Sequence, residues 1–254
     1  RMALLAARSL EVGPLRELFA GLPEIVCCVR ETGEPRWDRV QARAARGNAR
    51  ARALIEGFAQ LPRPWGVLGS AWPEDLEIWR GRMVKGAGTL WVVPHRVDPE
   101  SIAAIAKPLE QAGLRILYTS TLKDGLEEQS EQSSASCVVV DEMGFLSELY
   151  SAADWAYVGG GFGEGVHSTI EPAIFGIPIA CGSEGAKKFP EISDLTDSGQ
   201  LTIIRNSEDL DSWLNALEQK RTQVGKWKDQ LLARFGATQR VFKTMEALID
   251  KKMI

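Results

Sequence analysis

Residues 155–180 read WAYVGGGFGEGVHSTIEPAIFGIPIA. An apolar run (Trp155 to Val158) leads into five glycines (Gly159, Gly160, Gly161, Gly163, Gly165), then a helix start, then a second apolar run (Ile177 to Ala180). The pattern predicts strand, loop, helix, strand. Glycines at this density remove the Cβ atoms that would hold a ligand away from the backbone, and a helix starting after them aims free N–H groups and its positive end into the loop. That is an anion cradle of a kind shared by many dinucleotide and phosphate binders. Ser168 and Glu171 have the S-x-x-E spacing of a capping box, which makes Ser168 the predicted N-cap. In the same first turn, the Glu171 carboxylate is also placed to accept both hydroxyls of a ribose. The chain has two histidines, His95 and His167, and both fall in loops at predicted strand ends.

Working outward, strands are predicted at WGVLGS (65–70), TLWVVPH (89–95), LRILYTS (114–120), CVVVD (137–141) and Leu201 to Ile204. Helices are predicted at 73–84, 99–113, 144–153, 207–217 and from about Gln223 onward. The strands are apolar throughout and alternate with helices, so they specify a doubly wound, Rossmann-like parallel sheet covered on both faces. The polar residues 122–136 read as an exposed loop. Before the sheet, EIVCCVR (24–30) reads as a short strand, and a helix of about twenty residues follows Glu34-Pro35-Arg36-Trp37-Asp38. On that helix Arg36, Arg39, Arg43, Arg46 and Arg50 form one basic stripe, either a solvated face or a contact for an anionic surface. Residues 1–15 read as a helix or linker entered midway, with neither a secretory leader nor a membrane anchor.

The 254 residues are 44% hydrophobic and 25% charged, an ordinary globular composition without an apolar run long enough to span a membrane. A net charge of -4 argues against nucleic acid as a partner. Cys27, Cys28, Cys137 and Cys181 lack metal-ligand spacing and read as buried thiols, so no metal site is expected.

Parallel sheets of this kind bind ligands at the C-terminal ends of their strands. The distinctive polar and glycine residues fall there: Ser70 after the first strand of the sheet, Pro94, His95 and Arg96 after the next, Met143 and Gly144 after CVVVD, and then Gly160, Gly161, Gly165, His167, Ser168 and Glu171. Arg96 offers a planar two-pronged donor suited to a phosphate, or else a surface ion pair.

Taken together, these motifs resemble the C-terminal, donor-binding domain of GT-B glycosyltransferases, and specifically that of the 3-deoxy-D-manno-octulosonic acid (Kdo) transferases. The resemblance runs from about residue 24 to 217. It rests on Gly33 to Val40 (GEPRWDRV), Gly69-Ser70, Val93-Pro94-His95-Arg96, Asp141-Glu142-Met143-Gly144 with Leu149 to Asp154 (LYSAAD), and Val158 to Gly161. It continues through Gly165 to Ser168, Glu171-Pro172, Phe175 to Ile179 (FGIPI) and Lys188 to Ile192 (KFPEI).

The resemblance implies that residues 1–63 are the end of an N-terminal domain plus linker, 64–222 the nucleotide-sugar domain, and 223–254 a helix returning toward the N-terminal half. It implies transfer of Kdo from CMP-Kdo to a lipid A precursor, with inversion and without a cofactor or metal. Arg96 would meet the phosphate, Met143 and Gly144 the cytosine and ribose, Glu171 the ribose, and Ser70 and the glycines the phosphate or sugar. It further implies work at the cytoplasmic face of a Gram-negative inner membrane, with this piece itself soluble. The catalytic base and the lipid acceptor site belong to the other half of such enzymes, so this chain is expected to bind donor without transferring alone.

Two motifs depart from the family. Ser168 stands where Asn is usual, and Ala71-Trp72 where Thr-His is usual. A UDP-sugar transferase or epimerase, or a non-catalytic nucleotide-binding module, are the competing readings. The tail from Lys220 carries nine cations (Lys220, Arg221, Lys226, Lys228, Arg234, Arg240, Lys243, Lys251, Lys252) against Asp229, Glu246 and Asp250, and reads as a solvated face or a contact for anionic lipid.

Overall fold

The computed structural model describes residues 2–6, 17, 27–82, 88–121 and 137–250, without the side chains of 2–6, 27–30 and 248–250. The predictions made for most of residues 1–26, for 83–87, for the polar segment 122–136 and for the last four residues lie outside this set, as do the side chains of Cys27 and Cys28. The chain divides into two compact units, one of residues 1–45 and 229–254, the other of residues 46–228.

The larger unit is built on a seven-stranded sheet of β3 (Trp65–Ala71), β4 (Thr89–Pro94), β5 (Ile116–Tyr118), β6 (Cys137–Val139), β7 (Trp155–Val158), β8 (Ile179–Gly182) and β9 (Leu201–Ile204). Its order is β5-β6-β4-β3-β7-β8-β9, and every pairing is parallel. Parallel neighbours need crossovers, and here helices such as Pro73–Trp79, Pro99–Gln111 and Leu146–Ala152 supply them. The strand residues divide by the period of two between two apolar clusters. Leu68, Val92, Val139 and Tyr157 join Trp79, Leu109 and Trp213, whereas Val67, Trp91, Val138 and Ala156 join Phe58, Leu149 and Tyr150. Burial on both faces is why the strands read as continuous apolar runs.

Close approaches explain several glycines in the core. A side chain at Gly66 would overlap the indole of Trp155, and one at Gly69 the hydroxyl of Tyr150. Gly161 and Gly182 face each other backbone to backbone, and a Cβ on either would overlap the other. Cys137 and Cys181 are buried free thiols, and burial pushes each up to about 12.

The predicted twenty-residue helix is two helices, Pro35–Arg46 and Ala49–Gly57. Gly47 between them adopts φ +64, and the Asn48 side chain caps the second helix by accepting from Ala51 N. The stripe of five arginines is therefore interrupted after Arg46. The helix predicted from Gln223 onward is also two, Val224–Leu232 and Ala237–Asp250. Trp227 in the first of these is buried and donates its indole N–H to Ser198 O at 3.1 Å.

The smaller unit contains β1 (Met2–Ala6) paired in parallel with β2 (Cys27–Glu31), together with Pro35–Arg46 and Ala237–Asp250. Asp38 joins its two chain segments by accepting from Gly236 N at 2.6 Å and Thr238 N at 2.7 Å. Arg240 donates to Thr32 O at 2.8 Å, and the Arg234 guanidinium lies 5.0 Å from the Trp37 ring centroid.

Packing at the glycine pair leads to a paired prediction. Gly182→Ala must push against the Gly161 backbone and is expected to destabilise by about 1–3 kcal/mol. Gly225→Ala, in helix Val224–Leu232 with nothing within 4 Å of the new methyl, is expected to stabilise by roughly 0.5–1 kcal/mol. Urea unfolding of the two variants checks both signs.

Candidate functional site

Because β3 is the first strand of the sheet and has β4 on one side and β7 on the other, the direction of winding reverses between β3 and β7. A crevice opens at the C-terminal ends of strands at such a reversal. The loops after β3 and β7 border it, and Gly159 N donates to Gly69 O at 2.9 Å where they meet.

A buried carboxylate fastens these two loops. Asp75, fully buried in helix Pro73–Trp79, accepts from Trp72 N at 3.0 Å, Gly160 N at 2.9 Å and the Tyr157 hydroxyl at 3.0 Å. Its burial raises its pKa, and the three donors oppose that rise. Gly159 can lie here only without a side chain, because a Cβ would overlap the Ser70 carbonyl and crowd the Asp75 carboxylate. Ser70 itself is held at φ +52 beside a register shift between Gly69 and Ala71, a conformation uncommon outside glycine.

At the rim, four side chains meet. The Trp72 and His167 ring planes are nearly parallel, 4° apart, and the indole N–H donates to His167 Nε2 at 3.0 Å. His95 stacks against both, with centroids 4.6 Å from Trp72 and 4.4 Å from His167. The Arg96 guanidinium lies 5.9 Å from the Trp72 ring centroid. His95 N donates to Ala71 O, joining the loops after β3 and β4. Thus His95, Arg96 and His167 come together, as the sequence suggested, and Trp72, noted there only as a departure, is the residue that joins them.

The remaining candidates are placed as follows. Pro94 is buried at the end of β4. Met143 is 72% exposed, and Gly144, at φ +91, accepts from the Asn48 side chain at 3.3 Å. Their turn follows β6, next to β4, and the neighbouring Glu142 pairs with Arg50 at 2.7 Å. Asp141 accepts from Thr119 and Ser120. Glu171 is half-buried and acts electrostatically on Tyr150, whose hydroxyl burial pushes well above its usual range.

Two expectations about the glycine loop are corrected. Ser168 is exposed and is not the N-cap: the helix is Ile170–Ala173, its N-cap is Thr169 in helical conformation, and no side-chain capping bond forms. One turn of helix carries little dipole, so the loop lacks the predicted helix end. Three of the glycines also have a packing role within the chain itself. Gly159, Gly160 and Gly161 are buried against Ser70, Gly165 and Gly182 of the same chain, and only the more exposed Gly163 and Gly165 leave room.

Two contributors escaped the sequence reading. Asp75 carries a signal that could have found it, since a carboxylate three residues after a loop residue, with Pro between, marks a first helical turn. Gly182 carries one too, as a lone glycine at the end of a strand predicts close backbone approach. Among the described residues, no group of three or more His, Cys, Asp or Glu is placed to hold a metal, and no helix is long and apolar enough to cross a membrane.

Loss of Asp75 would leave two backbone N–H groups and a tyrosine hydroxyl without an acceptor. Asp75→Ala is expected to cost about 3 kcal/mol or more in urea unfolding, and Asp75→Asn less, since its amide oxygen still accepts. The two histidines give a pH prediction. His95 lies below the ordinary 6.5 through burial and then the Arg96 charge, opposed by Glu164; His167 is lowered by burial and then by His95. The unfolded chain therefore takes up protons before the folded one, so this contribution is complete above 6.5 and is lost as pH falls below it. The urea midpoint should drop between pH 7.5 and 5.5, and by less in a His95→Gln/His167→Gln double variant.

No protein-family model matches the chain. Curated proteins named 3-deoxy-D-manno-octulosonic acid transferase do. That of Chlamydophila psittaci is 31% identical over 122 residues, covering 46% of this chain and 26% of the relative. That of Chlamydia trachomatis serovar A is 36% identical over 123 residues, with the same shares, 46% and 26%. That of Haemophilus influenzae is 22% identical over 218 residues, 76% of this chain and 49% of the relative. The chain thus matches between 26% and 49% of the length of these relatives. Among solved structures, the C-terminal CMP-Kdo binding domain of WaaA from Acinetobacter baumannii aligns with a TM-score of 0.56 at 21% identity, over 74% of this chain and 98% of that domain. The α,α-trehalose 6-phosphate synthase of Burkholderia multivorans aligns at 0.50 with 11% identity, over 99% of this chain and 60% of that one. The chain is similar in sequence to proteins named 3-deoxy-D-manno-octulosonic acid transferase over part of their length, and it shares its fold with the C-terminal domain of WaaA.

Proposed function

We propose that this chain supplies the CMP-Kdo binding half of an enzyme that transfers Kdo to a lipid A precursor, at the cytoplasmic face of a Gram-negative inner membrane. The observation that carries the reading is the meeting of His95, Arg96 and His167 at the reversal point of the sheet, in a chain related to proteins named for this transfer. A departing CMP carries a phosphate, and a guanidinium in a loop beside two imidazoles on which a charge is disfavoured suits it. Arg96 holds the phosphate, Glu171 accepts the ribose hydroxyls, Met143 and Gly144 border the cytosine and ribose, and Ser70 with Gly160, Gly161 and Gly165 shapes the sugar side.

Inverting transfer requires a base that removes the proton of the acceptor hydroxyl while the CMP oxygen leaves from the opposite side of the anomeric carbon. This reading assigns that base and the lipid acceptor site to other parts of the enzyme. Buried Gly160 and Gly161 serve the donor by fixing the loop and not by touching it.

Calorimetric titration of the chain with CMP and UMP tests the reading. CMP is expected to bind in preference to UMP, and Arg96→Ala to weaken it about 10- to 100-fold, the size of one or two charge-assisted hydrogen bonds. Glu171→Ala is expected to weaken CMP by about tenfold and to leave inorganic phosphate binding unchanged. Equal binding of UMP, or no binding of CMP, overturns the donor assignment.

A further inference from the structure

We propose that Trp72 is a positioning residue that holds His167 as the neutral tautomer with its proton on Nδ1, so that the imidazole meets the donor as a hydrogen-bond donor and not as a cation. The tautomer follows from the geometry alone. Its role toward the donor rests on the donor-site reading above.

An indole N–H can only donate. It lies 3.0 Å from His167 Nε2 with the two ring planes 4° from parallel, and this donor has Nε2 as its acceptor. Nε2 is then the acceptor, and the one proton of a neutral imidazole sits on Nδ1. An imidazolium would set a second N–H against the indole N–H and break the bond.

Both rings are held from fixed backbone. Trp72 N donates to the Asp75 carboxylate, and His167 N donates to Gly159 O at 3.3 Å. His95 stacks across the pair and hinders either ring from turning out of the plane. The charged and titratable groups around them are His95 and Arg96 from the segment after β4, Asp75 and Glu74 from helix Pro73–Trp79, and Glu164 from the glycine loop. Burial and His95 disfavour a charge on His167, the same direction in which the Trp72 bond acts. Ordinary hydrophobic packing would put no demand on which ring edge faces which, whereas here the single polar atom of Trp72 meets the single unprotonated nitrogen of His167.

Imidazole nitrogen-proton correlation spectra of the labelled 254-residue chain test the proposal. At pH 7.5 the His167 signals are expected to show the Nδ1–H pattern, and an Nε2–H pattern overturns the assignment without recourse to any variant. In Trp72→Phe, which keeps a ring for His95 to stack on, the pattern should move toward Nε2–H. The His167 midpoint should rise by roughly half a unit to one unit, the worth of one neutral hydrogen bond. A folded Trp72→Phe with unchanged tautomer and midpoint overturns it as well.

The functional arm compares CMP binding at pH 7.5 and 5.5, taken as the ratio of variant to wild type so that the titration of the phosphate itself cancels. The ratio should shift several-fold toward tighter variant binding at pH 5.5, where the released imidazole charges, and a ratio independent of pH overturns the role toward the donor. A wild type that binds no CMP sinks the donor-site reading and this role with it, while the spectra still decide the tautomer.

Discussion

A carboxylate without water must be given donors, and Asp75 receives three: the N–H of Trp72, the N–H of Gly160 and the hydroxyl of Tyr157. These belong to the turn after β3, the glycine loop after β7 and β7 itself. One buried charge therefore sets the separation of the two loops that border the crevice, and everything at the rim inherits that separation. The approach is tight enough that Gly159 must lack a side chain, and Ser70 is turned to positive φ beside it. A hydrophobic residue at position 75 would fill the core but strand the N–H groups of Trp72 and Gly160 and the Tyr157 hydroxyl, so the polarity of this one position serves both the geometry of the loops and the stability of the fold.

Sheet order explains why these loops are the ones that matter. Winding outward from β3 in both directions places the exits of β3, β4 and β7 side by side. Residues as far apart in the chain as Trp72, His95 and His167 then stack within 4.4–6.4 Å between ring centroids. The two apolar clusters on the faces of the sheet hold the strands rigid, with Trp65, Trp91 and Trp79 among their largest buried members. Among the described residues, the one non-glycine residue at positive φ, Ser70, lies near the end of β3, where the ladder to β4 shifts register.

The alternation of strands and helices was readable because a strand buried on both faces has no polar period to obscure it. The regularity held from Trp65 to Ile204, and the order of motifs carried the resemblance to the 3-deoxy-D-manno-octulosonic acid transferases, to which the chain is also similar in sequence. What could not be read were the local breaks and the cross-chain partners. Gly47-Asn48 splits a pattern that is periodic on both sides, since the arginine spacing continues through a residue at positive φ. Ser168-x-x-Glu171 has the spacing of a cap, but the adjacent Thr169 takes the N-cap position and the helix lasts a single turn. Trp72 looked like a lost functional residue when judged by position alone. Its contact with His167 spans 95 residues of sequence, and no local pattern encodes such a meeting.

Glycine density, finally, does not by itself say what the glycines are for. In this loop the buried ones pack against backbone, Gly159 on Ser70, Gly160 on Gly165 and Gly161 on Gly182, and their N–H groups and carbonyls are partly spent on the protein itself. The Gly160 N–H goes to Asp75, and the Gly161 carbonyl accepts from Glu184 N. This edge therefore presents side chains more than free peptide groups, with Arg96 close to the two histidines. Recognition through side chains on loops can be retuned one residue at a time, whereas a peptide cradle cannot be changed without moving the backbone. That Ala71-Trp72 and Ser168 differ from the usual family residues while Asp75 and the glycine contacts form a closed frame is the division such an arrangement permits: the frame constrains the loops, and the rim is where this chain can depart from its relatives.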